Sequence, residues 1–291
     1  MELEYECLVC QLRAELANAE KLAGNDRKIA YLQQVMGSLA QVSARDTGPL
    51  LLDKMLPIRA RHGVPTPDYP HLKGKYNDLL LGLLPKMRDV VARSRDPLAT
   101  ALKLSRLGNY IDFGVLKTLD DQWLLGMIEH IEREALDEVE YRHLKSDLAQ
   151  ARTLAFLTDN CGEIVFDRLL IECLRDRYAG LEITVVTRGQ DILNDATRED
   201  ACAVGLDQVA RVIGNGSDIA GTQMERMSEE AAQLVRTADV RIAKGQGNFE
   251  TLSGCALNTY YLFLCKCAYF SERLNVAPLT GMLLNELRLP L

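Results

Sequence analysis

Apolar residues recur at three- and four-residue spacing through the first half of the chain, with charges between them. This predicts helices over Leu3–Ala23, Asp26–Ala44, Leu50–Arg61 and Tyr76–Ser94. Gly24-Asn25, Gly48-Pro49 and a Pro-rich loop from Gly63 to Pro70 separate them. A further helix is expected from Pro97 to Leu107, where Gly108 ends it, and Leu119–Gln150 also reads as helical.

From Arg152 onward the pattern changes. Short β-rich runs at Arg152–Thr158, Glu182–Thr187, Val209–Ile213, Ala238–Ala243 and Tyr260–Cys265 alternate with helical patterns at Glu163–Arg177 and Ser228–Thr237. Strands alternating with helices imply right-handed crossovers and a parallel sheet covered on both faces. The expected fold is α/β: a three-layer α/β/α sandwich with a mainly parallel sheet, preceded by an all-α domain. The division is set at residues 1–110 and 111–291, with the boundary falling anywhere within 95–152.

Composition narrows the classes of function. The chain has 291 residues, 47% of them apolar, enough for a full core and an accessory domain. A formal charge of −7 argues against sequence-independent nucleic-acid binding, which rests on Lys and Arg neutralising phosphates. No apolar run reaches the roughly 18 to 20 residues that cross a bilayer. Leu257–Phe270, the longest, is interrupted by Asn258 and Lys266 and reads as a buried strand. The first six residues carry three glutamates and no basic region, unlike a secretory signal, so a cytoplasmic location is the default expectation. Eight scattered cysteines in mostly apolar segments read as reduced and mostly buried thiols.

In an open parallel sheet, ligands bind beyond the carboxyl ends of the strands. That rule selects four polar, Gly-containing segments: 158–163, 187–197, 214–218 and 244–250. Asp159, Asn160 and Asp195 are three oxygen donors suited to a hard divalent cation. Each pair at these strand ends has a plainer reading as a helix cap or turn. Lys244, with Gly245, Gly247 and Asn248 behind it, has the form of an anion cradle at a helix start, or of an ordinary Gly-rich turn with an incidental lysine. A Walker A loop, a G-x-G-x-x-G fingerprint after the first strand and a serine elbow are all absent from the sequence. His62, His71, His130 and His143 lie in the helical half without zinc-binding spacing. The economical nucleophile is then a water activated by the cation, with Asp159 itself as the covalent alternative.

Three ordered motifs carry a family resemblance. They are Asp159-Asn160-x-Gly162-Glu163-x-x-Phe166-Asp167, Asn194-Asp195-Ala196-Thr197-x-Glu199-Asp200-Ala201 and Lys244-Gly245-Gln246-Gly247-Asn248-Phe249-Glu250-Thr251-Leu252. Together they closely resemble the signature segments of the damage-control phosphatases, first catalogued as domain-of-unknown-function family eighty-nine. Gly108–Phe113 and the opening Cys7-x-x-Cys10 look like its stand-alone microbial branch.

The resemblance implies a helical domain on a Rossmann-like sandwich and hydrolysis of phosphate monoesters of small metabolites. It implies one divalent cation (Mg²⁺, Mn²⁺, Co²⁺ or Ni²⁺) on Asp159, Asn160 and Asp195, with Lys244 on the phosphate. Asn109 and Asp112 are softer candidates for contact with the substrate or the outer shell of the ion. Cys7 and Cys10 lack a second C-x-x-C to close a zinc site. Asp191 stands where the family more often has proline. A methyltransferase or nucleotide-dependent enzyme on the same sandwich, and a non-catalytic phosphometabolite sensor, are the competing expectations.

Overall fold

The computed structural model describes residues 3–110 and 121–289. Three helices of similar length open the chain: α1 (Tyr5–Glu20), α2 (Asn25–Leu39) and α3 (Gly48–His62). Ala19, Tyr31, Val35, Met55 and Ile58 close a small apolar core of their own. Gly63, in the left-handed conformation, ends α3 as a glycine C-cap.

Next come α4 (Tyr69–Arg93) and α5 (Pro97–Leu107). The sequence pattern starts α4 at Tyr76, but the helix begins seven residues earlier. Pro70 sits in its first turn, where the missing N–H costs nothing, and Asp68 accepts from the His71 N–H. Then follow α6 (Asp121–Glu129) and α7 (Glu138–Gln150).

The remaining chain alternates: β1 (Thr153–Leu157), α8 (Glu163–Arg177), β2 (Glu182–Thr187), α9 (Arg198–Ala203), β3 (Arg211–Gly214), α10 (Glu229–Thr237), β4 (Val240–Lys244), α11 (Gly245–Leu252), β5 (Thr259–Leu264), α12 (Ala268–Arg273) and β6 (Gly281–Asn285). The strands form one sheet in the order β3-β2-β1-β4-β5-β6. All neighbours are parallel except β5 and β6. The sequence pattern marks five strands; β6 is a sixth, an antiparallel edge on an otherwise parallel sheet.

Period-2 alternation divides the strands between two cores. Leu154, Phe156, Ile183, Val185, Ile242 and Leu262 face one side, with α4, α5, α7 and α8. Ala155, Leu157, Val186, Ala243, Tyr261 and Phe263 face the other, with Val235 of α10, Phe249 of α11 and Phe270 of α12. Phe249 stacks on Phe263 at 4.8 Å between centroids, and burying such a ring stabilises by roughly 2–3 kcal/mol. Helices α4 and α5 thus share the sheet's core, while α1–α3 keep a separate one. The partly buried carboxylate of Glu250 in α11 receives the Gly48 N–H and so ties the start of α3 to the sheet-bearing half. A Cβ at Gly48 would press on the far end of that carboxylate, which would have to swing aside.

Candidate active site

The chain order 3-2-1-4-5 places the topological switch between β1 and β4, and the site lies at the carboxyl ends of these strands. Beyond β1, the chain runs through Thr158, Asp159, Asn160 and Cys161 to Gly162, whose φ of +79° turns it into α8. Gly162 is the N-cap residue, and its N–H donates to the Asn77 side chain of α4 at 2.6 Å. No side chain caps α8, so Asp159 and Asn160 are not spent on that task.

Beyond β2, the segment 188–197 folds back across this turn. Asn160 and Asp195 form an antiparallel bridge. The Ala196 N–H donates to the Asp159 carbonyl at 2.8 Å, and the Cys161 N–H to the Asn194 carbonyl at 2.8 Å. Leu193 takes a positive φ of 47° at the bend, a strained conformation for a branched residue. Lys73 of α4 anchors the segment from outside by pairing with Asp191 at 2.6 Å and Asp200 at 3.0 Å. Asp191, where proline was more expected, therefore makes an ion pair that proline could not.

These backbone ties bring Asp159, Asn160 and Asp195 together. The Asn160 amide donates to Asp159 Oδ2 at 2.7 Å, and its Oδ1 accepts from Asn194 Nδ2 at 2.6 Å. Arg188, 1% exposed, donates through Nε to Asp195 Oδ2 at 2.6 Å. Its Nη2 lies 3.6 Å from Asp159 Oδ1 and has no hydrogen-bond partner. Burial pushes the Asp159 carboxyl well up, and the negative charges of Glu163 and Asp195 push it further, against Arg188 and Lys266. Two carboxylates and one amide oxygen, short of positive charge, suit a hard divalent cation. Among the described residues, no group of three His, Cys, Asp or Glu is arranged to hold a metal ion.

The rest of the expected constellation divides. Gly245 (φ +78°) packs so tightly under Asp159 that a Cβ would fall inside the carboxylate. Gly247 lies two residues on, in the first turn of α11, against the Ala220 carbonyl. Asn248 ties strands together: its amide donates to the Thr158 and Lys244 carbonyls at 3.0 and 2.6 Å. Its Oδ1 accepts from Arg188 Nη1 at 3.2 Å and Thr222 Oγ1 at 2.8 Å.

The Lys244 ammonium does not face the Asp159–Asp195 pair. It is fully buried and donates to the Ser105 carbonyl at 3.0 Å, to Asp167 Oδ1 at 2.8 Å and to Glu163 Oε1. Those three acceptors use its three donors. Burial pulls its pKa down, but Asp167 and Glu163 outweigh that and keep it charged. Asn109 is buried and accepts from the Leu264 N–H at 3.3 Å, which fixes the end of β5. Asp112 lies outside the described residues.

Arg188, Glu163, Asp167, Asn77 and Lys73 are the site-forming residues without a role in the sequence reading. Arg188 carried a usable signal, a cation directly after the last residue of a central strand. Asn77 and Lys73 carried none, since they sit mid-helix more than eighty residues away. A cleft of ≈ 530 Å³ opens beside Asn194; Asn18, Lys21, Arg59, Thr66 and Tyr69 line it from the α1–α4 side.

A family model described as the damage-control phosphatase ARMT1-like domain matches residues 4–279. The chain is 30% identical over 295 residues to an uncharacterized protein of Methanocaldococcus jannaschii, covering 95% of this chain and 93% of that one. It is 29% identical over 283 residues to a damage-control phosphatase of Pyrococcus horikoshii, covering 95% of each. An Archaeoglobus fulgidus protein, also named a damage-control phosphatase, is 32% identical over 218 residues and 74% of each chain. The crystal structure of a Pyrococcus horikoshii protein of domain-of-unknown-function family eighty-nine superposes with a TM-score of 0.81 at 27% identity, covering 98% of this chain and 99% of that one.

Proposed function

The chain belongs to the damage-control phosphatase ARMT1-like family, and from that premise we propose that it hydrolyses phosphate monoesters of small metabolites with one divalent cation on Asp159, Asn160 and Asp195. The observation that carries this reading is the fold-back of segment 188–197. It sets Asp195 beside Asp159 and Asn160 and leaves the Asp159 carboxyl pushed up by burial and then by two like charges. A cation relieves that repulsion. When bound, it supplies positive charge to a phosphoryl oxygen and acidifies an attacking water.

The chain's own groups complete the site. Arg188 holds Asp195 in one orientation and adds a buried positive charge next to Asp159. The first N–H groups of α11 point toward the same rim, where an eight-residue helix contributes its positive end. Lys266, on the segment after β5, draws the Asp159 carboxyl down and so adds positive charge on that side. The cleft beside Asn194, lined by both apolar and polar side chains, accommodates the organic part of the ester. This assigns discrimination among substrates to α1, α3 and the 64–69 segment, and the chemistry to the strand ends.

The test is phosphate release from a panel of phosphorylated metabolites with Mg²⁺, Mn²⁺, Co²⁺ or Ni²⁺, before and after chelation. Turnover should vanish with a chelator and return with the ion. Undiminished turnover in excess chelator would overturn the metal reading while leaving the family assignment intact.

A further inference from the structure

The sequence leaves Lys244 as a phosphate ligand, yet its ammonium is enclosed by three oxygens on the inner side of the rim. Resting on the metal reading above, we propose that Lys244 is a positioning residue. It acts through Glu163 on the amide of Asn160, turning the amide oxygen rather than the nitrogen toward the cation.

The connection is continuous. Lys244, the last residue of β4, holds Glu163 Oε1. The other carboxylate oxygen, Oε2, accepts from the Asn160 side-chain N–H at 3.2 Å and lies 3.5 Å from the Asn160 backbone N. The same amide nitrogen also donates to Asp159 Oδ2 at 2.7 Å. With its NH₂ held by two carboxylates, the amide has one orientation. Its oxygen faces Asn194, the neighbour of Asp195. An amide that could flip would present two N–H donors to a cation half of the time, and a cation repels them.

Glu163 itself cannot shift. It is fully buried, and Gly108 packs against its Cγ and Cα so closely that a Cβ there would lie 2.8 and 3.0 Å away. Ser105 Oγ donates to Asp167 Oδ1 at 2.6 Å and fixes the second carboxylate around the lysine. Lys244 therefore neutralises a carboxylate whose job lies on its other face. Groups that orient first ligands in this way commonly change metal affinity 10- to 100-fold when lost.

The experiment is Mn²⁺ titration by calorimetry on the full chain, with thermal melts alongside. Glu163→Gln, which can flip its own amide, should weaken Mn²⁺ binding by on the order of tenfold or more while the melt stays cooperative. Lys244→Met should weaken it similarly, and the double variant no further than either alone. Lys244→Met binding Mn²⁺ as wild type, but losing inorganic phosphate from the Mn²⁺-loaded protein, would overturn the proposal in favour of a direct phosphate contact.

If Lys244→Met does not fold, the decision falls to an Asn160→Asp background, where both side-chain atoms are oxygens and no orientation is needed. There Glu163→Gln should leave Mn²⁺ affinity within about twofold, against the roughly tenfold or greater loss expected with Asn160 in place. An undiminished loss in that background would overturn it. Failure of the wild-type chain to bind any Mn²⁺, Mg²⁺, Co²⁺ or Ni²⁺ would instead remove the metal reading on which the proposal stands.

Discussion

Two buried ionic clusters differ in how their charges are matched. In the α1–α3 unit, Glu15 is matched by Arg59, with Nε at 3.2 and 3.1 Å and Nη2 at 2.5 Å. Tyr31, Asn18 and Gln11 also donate to it. Burial alone pushes the Glu15 carboxyl up, but these hydrogen bonds outweigh it and hold it below the usual range. Beneath the rim, one ammonium faces two carboxylates. Asp167 Oδ2 has no partner, and burial pushes Asp167 up to about 6. The balanced cluster has the composition of a structural tie. The unbalanced one keeps excess negative charge next to the Asp159–Asp195 pair, where folding alone gives no reason for it.

Substitutions can break that contrast, and the largest effect is expected at the rim. Asp195→Ala should lower kcat by at least about a hundredfold and abolish Mn²⁺ binding, measured by phosphate release and calorimetry on variants with native circular dichroism. Wild-type turnover would remove Asp195 from the site. Glu15→Gln should do the reverse. It leaves the partly buried Arg59 without its charge partner and should cost about 3 kcal/mol in denaturant unfolding, with Mn²⁺ affinity per folded molecule unchanged.

Smaller effects sharpen the comparison. Gly245→Ala forces a positive φ on alanine, at about 1 kcal/mol, and drives a methyl into the Asp159 carboxylate. The Mn²⁺ concentration for half-maximal activity should rise on the order of tenfold, with only a few degrees lost from the melt.

The pH response should differ in sign between the clusters. Glu15, held low, contributes stability above its usual 4.5 that disappears as pH falls through its folded value. Asp167, held up at about 6, binds a proton more readily folded than unfolded. It therefore adds stability as pH falls from about 6 toward 4. Denaturation midpoints from pH 7 to about pH 2 should lack the acid-side loss in Glu15→Gln and the mid-range gain in Asp167→Asn. Parallel curves for all three proteins would contradict the distinction.

Most of the sandwich was legible because strands and helices switch period where composition also switches. The Glu163–Arg177 helix has the bounds its pattern gave. The early start of α4 was hidden by Pro70, which punctuates a loop and a first helical turn alike. The sixth strand was hidden because five residues beside a Pro-containing turn carry too little periodicity, and antiparallel pairing to β5 decides them. At the site, the types and order of Asp159, Asn160 and Asp195 could be read from strand ends. The direction of the Lys244 side chain could not. It depends on Ser105, Glu163 and Asp167, which meet only once α5 and α8 have packed together.

The union of Glu250 with the start of α3 gives the molecule a seam. One side of it carries cleft-lining residues of α1 and α3; the other carries α11, whose opening glycine supports Asp159. Transplanting the first three helices from another family member should therefore retune which esters are accepted without rebuilding the hydrolytic apparatus. Such a hybrid should keep the glutamate whose carboxylate receives the backbone N–H of position 48.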